Sequence, residues 1–111
     1  MKLITKEIRN KTPQLYTQDS EKDPMVYAKF FNPYGRATWL MLELDKDNDR
    51  AFGFVSWGIN PDLNELGYFS IKELKDNGIE RDRYFEPMTL SEAKTKYIDI
   101  TPFERRLVNL T

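Results

Sequence analysis

Three strand-like segments follow one another in the first half of the chain, and only short turns separate them. They cover residues 25–32, 37–44 and 50–57, and each is rich in aromatic and aliphatic side chains. The first connection contains Pro33 and Gly35, and the second is the charged stretch 45–49. Because short connections favour antiparallel neighbours, these segments predict an antiparallel meander.

Alternation within the second segment assigns its side chains to two faces. Successive side chains of a strand point to opposite sides of the sheet. We therefore expect Leu40, Leu42 and Leu44 on one face, and the intervening side chains of the segment on the other. Two further short strands are predicted at residues 68–69 and 84–86, and they would extend the meander.

Helix-start signals occur at four places in the chain. Thr5 precedes a short amphipathic segment that ends before Pro13. Capping boxes, in which Ser or Thr is followed three residues later by Glu, begin at Ser70, Thr89 and Thr101. Together with the strands they predict an α+β fold: an antiparallel sheet of four or five strands with three or four short helices packed mainly on one face.

The length of the chain favours one domain. Its 111 residues are close to the commonest domain size, and no linker or internal repeat interrupts them, so residues 1–111 are expected to form a single domain. No apolar run approaches the roughly 20 residues of a membrane span. Charged side chains at Lys6, Glu7 and Arg9 interrupt any apolar signal core. We therefore expect a cytoplasmic protein that does not enter membranes.

The chain contains neither cysteine nor histidine. This excludes disulfides, thiolate metal sites, cysteine nucleophiles and a Ser-His-Asp triad. It also removes the commonest general base, and no glycine pattern of a phosphate-binding loop is present. Catalysis would have to use carboxylates, Lys, Arg, Tyr or a metal ion bound by carboxylates. We expect no cofactor and leave open whether the protein is an enzyme.

One basic and one acidic cluster are candidate binding features. The N-terminal residues Lys2, Lys6, Arg9 and Lys11 make residues 1–12 basic, but they are too few for the stripe of Lys and Arg that a strong nucleic-acid site shows. The stretch 45–49 has the Asp-x-Asp-x-Asp spacing of a calcium loop. Arg50 stands where that loop needs Gly, so a solvated hairpin turn is the favoured interpretation.

The blocks ELGYFS (residues 65–70) and ERDRYFEP (residues 80–87) are the best candidates for a functional site. Within 23 residues they hold four aromatics, three glutamates, two arginines and one aspartate. If residues 80–86 formed a strand, its alternation would place one set of side chains on one face and the other set opposite. The first set is Arg81, Arg83 and Phe85, and the second is Glu80, Asp82, Tyr84 and Glu86.

The same blocks carry a resemblance to a known family. The segments LITKEIRNKTPQLY (3–16), VYAKFFNP (26–33), ELGYFSIKEL (65–74) and IERDRYFEPMTLSE (79–92) resemble an uncharacterised family, domain of unknown function 2958. Members are short proteins of bacteria, phages, plasmids and conjugative elements. The resemblance covers residues 3–92 and leaves 93–111 as an expected C-terminal helical extension. It implies a setting on mobile genetic elements and carries no catalytic residues.

Three functional hypotheses follow, and all remain open at this point. The first is a non-enzymatic protein-binding accessory factor of a mobile element, with an anti-restriction or anti-CRISPR role as its specific form and a host- or element-encoded protein as its partner. Its contact surface would contain Tyr68, Arg81, Arg83 and Tyr84, because Tyr and Arg are enriched at binding hot spots.

The alternatives use other side chains. A carboxylate- or metal-dependent hydrolase would require Glu65, Asp82 and Glu86 to converge, as in other carboxylate sites. The plainer alternative is that these carboxylates pair with the neighbouring arginines or face water. A small-ligand or nucleic-acid binder would use the basic side chains of residues 1–12.

Overall fold

The computed structural model describes residues 2–98. Its strands are β1 Met25–Val26, β2 Ala28–Phe31, β3 Thr38–Asp45, β4 Arg50–Ser56, β5 Glu65–Ser70, β6 Glu80–Arg81 and β7 Met88–Thr89. Its helices are α1 Lys6–Lys11, α2 Ile71–Asp76 and α3 Leu90–Tyr97, and a single 3-10 turn covers Pro61–Leu63. The predicted α+β class is confirmed.

Five strands form an antiparallel sheet in the order β5-β4-β3-β2-β6, and β1 pairs with β7 in a separate two-stranded sheet. The predicted meander is the run β2-β3-β4-β5. The first predicted strand is divided at Tyr27, because Val26 pairs with Met88 of the small sheet while Ala28 pairs with Met41 of the large one.

The large sheet lies between two apolar cores. On one face, Ile8 of α1 and Leu74 of α2 pack with a buried cluster that includes Phe30. On the other face, Ala93 of α3 packs with Leu40 and with Val26 and Met88 of the two-stranded β1–β7 sheet. Two of the three described helices therefore share one face, as predicted. None of the helices in residues 2–98 is both long and apolar enough to cross a membrane.

A β-bulge interrupts the pairing of β3 with β4. Met41 lies opposite Gly53 and Glu43 lies opposite Phe52, so Leu42 is the extra residue between them. An inserted residue reverses the alternation that follows it. Leu44 therefore joins the Phe30 core, whereas Leu40 and Leu42 belong to the other. The expectation that Leu44 shares their face is wrong for this reason.

A buried carboxylate fastens the loop that follows α1. Glu43 is only 3% exposed, and its two oxygens accept hydrogen bonds from the backbone N–H groups of Tyr16 (2.9 Å) and Gln18 (2.7 Å). The Gln18 side chain in turn bonds the backbone of Met25 and Leu42. Part of this loop is thereby held against β3.

The predicted helix starts are confirmed where the structure describes them. The hydroxyl oxygens of Thr5, Ser70 and Thr89 each accept the backbone N–H of the residue three positions on. Such bonds satisfy donors that the first helical turn leaves without partners. The capping box at Thr101 and most of the predicted extension 93–111 lie outside the described residues.

Removing one cap should have a measurable cost. Ser70→Ala is expected to lower the free energy of unfolding by about 1 kcal/mol, because the first turn of α2 loses a hydrogen bond to its backbone. Urea unfolding followed by circular dichroism measures the change. Ser20→Ala, at an exposed turn position, serves as the control and should stay within about 0.5 kcal/mol of the parent chain. Equal effects of both substitutions would contradict the prediction.

Candidate functional site

The two sequence blocks that were expected to form a site lie at opposite edges of the large sheet. Glu65 and Tyr68 belong to β5 at one edge, and Arg81 ends β6 at the other, with three strands between them. Glu65 therefore does not approach Asp82 or Glu86. Within residues 2–98, no three acidic side chains lie close enough together to hold a metal ion.

The segment after Arg81 is a turn, so the predicted strand at residues 84–86 is wrong. The Asp82 carboxylate accepts the backbone N–H of Tyr84 at 2.9 Å, and the Asp82 carbonyl accepts that of Phe85 at 3.3 Å. Asp side chains favour turns by bonding the backbone two residues on. The turn abolishes the alternation expected for residues 80–86. It leaves Tyr84 89% exposed and Glu86 exposed.

Asp82 has a structural role at this edge. Its carboxylate pairs with Lys29 of β2 at 3.3 Å, and both side chains are largely buried, at 19% and 16% exposure. The Lys29 ammonium also lies 4.2 Å from the centre of the Tyr97 ring. Both carboxylate oxygens already have partners, so the Asp82 side chain holds the turn against β2, and Lys29 makes the contact with α3.

A cleft of about 200 Å³ lies between α1 and the turn after β6. Three of the residues predicted as binding candidates line it: Arg81, Asp82 and Arg83. The Arg81 guanidinium donates hydrogen bonds to the backbone carbonyls of Lys2 and Leu3, so it fastens the N-terminal segment to this edge. Arg83 is exposed. This edge of the sheet is short and largely occupied by side chains.

Among residues 2–98, the opposite edge of the sheet, formed by β5, is open. Strand β5 pairs only with β4 among the described residues. The Ile71 N–H donates a hydrogen bond to the Asp49 carbonyl at 3.1 Å, so residues 49 and 71 form a hydrogen-bonded pair. In the register of β4 and β5, the next hydrogen-bonded pairs are then Ala51 with Phe69 and Gly53 with Gly67. Because such pairs alternate, the N–H and C=O groups of Leu66 and Tyr68 face away from β4. They form a template for another strand.

Nothing on β5 protects this edge. Proteins commonly shield an edge strand with Lys, Pro, a bulge or a very short length. Strand β5 is six residues long, contains neither Lys nor Pro, and pairs with β4 in continuous register. By contrast, β6 has two residues and is followed by the charged turn. The two edges therefore differ in their capacity to accept a partner strand.

Exposed apolar side chains are concentrated in β5 and in the loop before it. Eight large apolar side chains are substantially exposed in residues 2–98, and six of them belong to β5, to the loop before it or to a residue bonded to it. These six are Tyr16, Trp57, Ile59, Leu63, Leu66 and Tyr68. We call them the β5 patch. Such concentration marks interaction surfaces more often than scattered exposure does.

Tyr68 is the best-supported side chain of the β5 patch. Its ring lies 5.1 Å from that of Phe52, and the Arg50 guanidinium stacks 4.5 Å from its centre. Its hydroxyl donates a 3.2 Å hydrogen bond to the Tyr16 hydroxyl, and this bond raises the pKa of Tyr68 above its ordinary value. Tyr68 therefore stays neutral, and its ring is held in place while 47% of the residue remains exposed.

Sequence reasoning identified Tyr68 of the β5 patch, and Glu65 beside it on β5, but did not select the other five members of the patch as site residues. Trp57 closes a strand, and Ile59 and Leu63 lie in a loop, where apolar side chains carry no periodic signal. Tyr16 is distant in sequence and takes a left-handed backbone conformation with φ of 73°. The one available signal was the density of apolar residues in the 57–64 loop.

The charged stretch 45–49 forms the predicted hairpin turn. The Asp45 carboxylate accepts hydrogen bonds from the Asp47 N–H and the Asn48 side chain. Those bonds lower its pKa, the Asn48 bond contributing most. Asp49 forms an ion pair with Arg9 at 2.7 Å. The carboxylates therefore stabilise a turn and contact neighbouring groups.

Comparison with known proteins adds a family. A family model described as a protein of unknown function (DUF2958) matches residues 3–102. The match extends ten residues past the end of the motifs that suggested the resemblance. No curated protein and no solved structure matches the chain.

Proposed function

The chain belongs to the DUF2958 family, and we propose that it is a non-enzymatic protein-binding module that serves as an accessory factor of a mobile genetic element. The observation that supports this is the open edge of β5, which combines outward backbone groups with the β5 patch. The partner is an extended segment of a host- or element-encoded protein, added to the sheet as a sixth strand.

The charges of residues 57–70 indicate which kind of partner the β5 edge would bind. Residues 57–70 contain Asp62 and Glu65 and neither Lys nor Arg. Although Arg50 of β4 stacks on Tyr68, the acidic and apolar character of residues 57–70 disfavours nucleic acid, whose recognition depends on neutralising phosphates. The acidic edge favours a partner strand that is apolar and carries Lys or Arg. Backbone hydrogen bonds would supply affinity, and contacts with Leu66 and Tyr68 would supply specificity.

The position of Gly67 suggests how one partner side chain would be accommodated. A Cβ atom built at Gly67 meets no other atom within 4 Å, so an open space flanks this position between Glu65 and Phe69. A large partner side chain would fill that space against the Phe69 ring. Aromatic or long aliphatic residues at this point of the partner strand are the expected preference.

The setting on mobile elements, the cytoplasmic location and the anti-defence role belong to the same proposal. The first follows from the resemblance to proteins of phages, plasmids and conjugative elements. In the anti-defence form, the partner is a component of a restriction or CRISPR system. The hydrolase alternative requires Glu65, Asp82 and Glu86 to converge. The structure does not meet this requirement, because Glu65 lies across the sheet from Asp82 and Glu86.

Placing a charge on the open edge should abolish partner binding. Leu66→Lys introduces an ammonium group where the partner strand would lie, and we expect affinity to fall by at least about 30-fold. Tyr34→Lys is the matched control, since Tyr34 is exposed in the turn between β2 and β3. The measurement is a nuclease-treated pull-down from a bacterial lysate with each variant, followed by titration of the purified partner.

Hydrogen exchange distinguishes strand addition from other contacts. In the purified complex, the amide protons of Leu66 and Tyr68 should exchange more slowly than in the free chain, because both would donate to the partner strand. Unchanged exchange at these amides, or undiminished capture by Leu66→Lys, would overturn the proposal. Self-association of the free chain through β5, measured by sedimentation, would identify the occupant as a second copy and refute a separate partner.

A further inference from the structure

The cleft between α1 and the turn after β6 is a second feature with recognisable chemistry, and it lies across the sheet from β5. Both acidic side chains that line it, Glu7 and Asp82, already form ion pairs. Glu7 pairs with Lys11 at 2.9 Å, and Asp82 pairs with Lys29 at 3.3 Å. These pairs contribute no net charge to a ligand in the cleft.

Among the described residues, the two arginines of the cleft have no acidic partner. Arg81 donates hydrogen bonds to the carbonyl oxygens of Lys2 and Leu3, which are uncharged, so its positive charge remains uncompensated. Arg83 forms no ion pair or hydrogen bond with any residue in the described range. The cleft therefore has an excess of positive charge even though the whole chain has a net charge of −1.

The remaining walls suit a small molecule. Ile8, Ala28, Phe85 and Pro87 supply apolar surface, which strengthens electrostatic contacts by excluding water. The Tyr27 hydroxyl has no hydrogen-bond partner among residues 2–98 and is available to a ligand. A volume of about 200 Å³ is below the roughly 300–1,000 Å³ of clefts that hold drug-sized ligands.

We propose that this cleft binds a small anion that carries a carboxylate or phosphate group, with Arg83 and Arg81 as the cationic partners. The planar guanidinium group matches the geometry of both kinds of anion through paired hydrogen bonds. The apolar walls contact the body of the ligand. This site is independent of the β5 edge and of the protein-binding function proposed for it.

Arg83 is the residue to substitute. Arg81 also holds the N-terminal segment, so its loss would disturb the cleft itself, whereas Arg83 is exposed and free of partners in the described range. The full-length chain is labelled with ¹⁵N and titrated separately with inorganic phosphate and with acetate. Saturable shifts are expected at the amide resonances of Ile8, Asp82 and Arg83. Arg83→Gln should weaken binding at least about tenfold.

Arg36→Gln is the matched control, because Arg36 is exposed and lies outside the cleft. It should bind each anion as the parent chain does. Binding of phosphate alone would identify a phosphate ester as the ligand class, and binding of acetate alone would identify a carboxylate. No saturable shift with either anion, or equal affinity in Arg83→Gln and the parent chain, would overturn the proposal.

Discussion

Replacing Gly53 with alanine is expected to lower the free energy of unfolding by about 3 kcal/mol or more. A Cβ atom at this position would lie 2.0 Å from the Leu40 carbonyl oxygen and 2.9 Å from its carbonyl carbon. Both atoms belong to the backbone of the central strand β3, beside the bulge. Relief of the overlap would therefore require displacement of two paired strands, which a side-chain rotation cannot achieve.

Gly67→Ala is a closely matched control for this experiment. Gly67 is the Cα partner of Gly53 across β4 and β5, yet a Cβ atom there meets nothing within 4 Å. Its unfolding free energy should stay within about 0.5 kcal/mol of the parent chain. The free energy of unfolding of both variants is measured by urea unfolding and compared with that of the parent chain. A similar loss in both would show that the overlap with the Leu40 backbone is not what destabilises Gly53→Ala, because the backbone-entropy effect that the two substitutions share stabilises the folded chain.

Loss of the Glu43 carboxylate should also be severe, with Glu43→Ala expected to cost about 3 kcal/mol. The substitution leaves the backbone N–H groups of Tyr16 and Gln18 without their acceptor at a largely buried site. It also opens space beneath the loop. We expect a lower midpoint of urea unfolding and faster hydrogen exchange at both amides, since the loop loses the group that fastens it to β3.

Glu21→Ala controls for the loss of an exposed acidic side chain from the same loop. The Glu21 side chain has no hydrogen bond or ion pair among residues 2–98, so its removal should change stability by less than about 0.5 kcal/mol. Near-parental stability of Glu43→Ala would show that the loop finds other acceptors and that the buried carboxylate contributes little.

The elements that the sequence predicted well are those with local signals. The hydroxyl groups of Thr5, Ser70 and Thr89 bond backbone atoms only three residues away, so the capping pattern is contained in a short window. The β-bulge in β3 could not be predicted, because it leaves no local signal in the sequence. Strand β3 is buried on both faces, so its run from Trp39 to Leu44 is almost entirely apolar and an inserted residue leaves no break in the alternation.

The candidate site was predicted only in part because strand order is not local. The ELGYFS and ERDRYFEP blocks are both at sheet edges, but nothing within either block states that β6 pairs with β2, some fifty residues earlier. The strand predicted at residues 84–86 failed because one Asp82 carboxylate bond to the Tyr84 N–H favours a turn over continued extension.

Arg81 donates hydrogen bonds to the carbonyl groups of Lys2 and Leu3, which precede it in the sequence by 79 and 78 positions. During synthesis on the ribosome, the N-terminal segment emerges first and must wait for β6 before these bonds can form. High contact order of this kind slows folding. The meander of β2, β3 and β4 can assemble from strands that are neighbours in sequence. The N-terminal segment is therefore expected to dock against β6 among the last steps of folding.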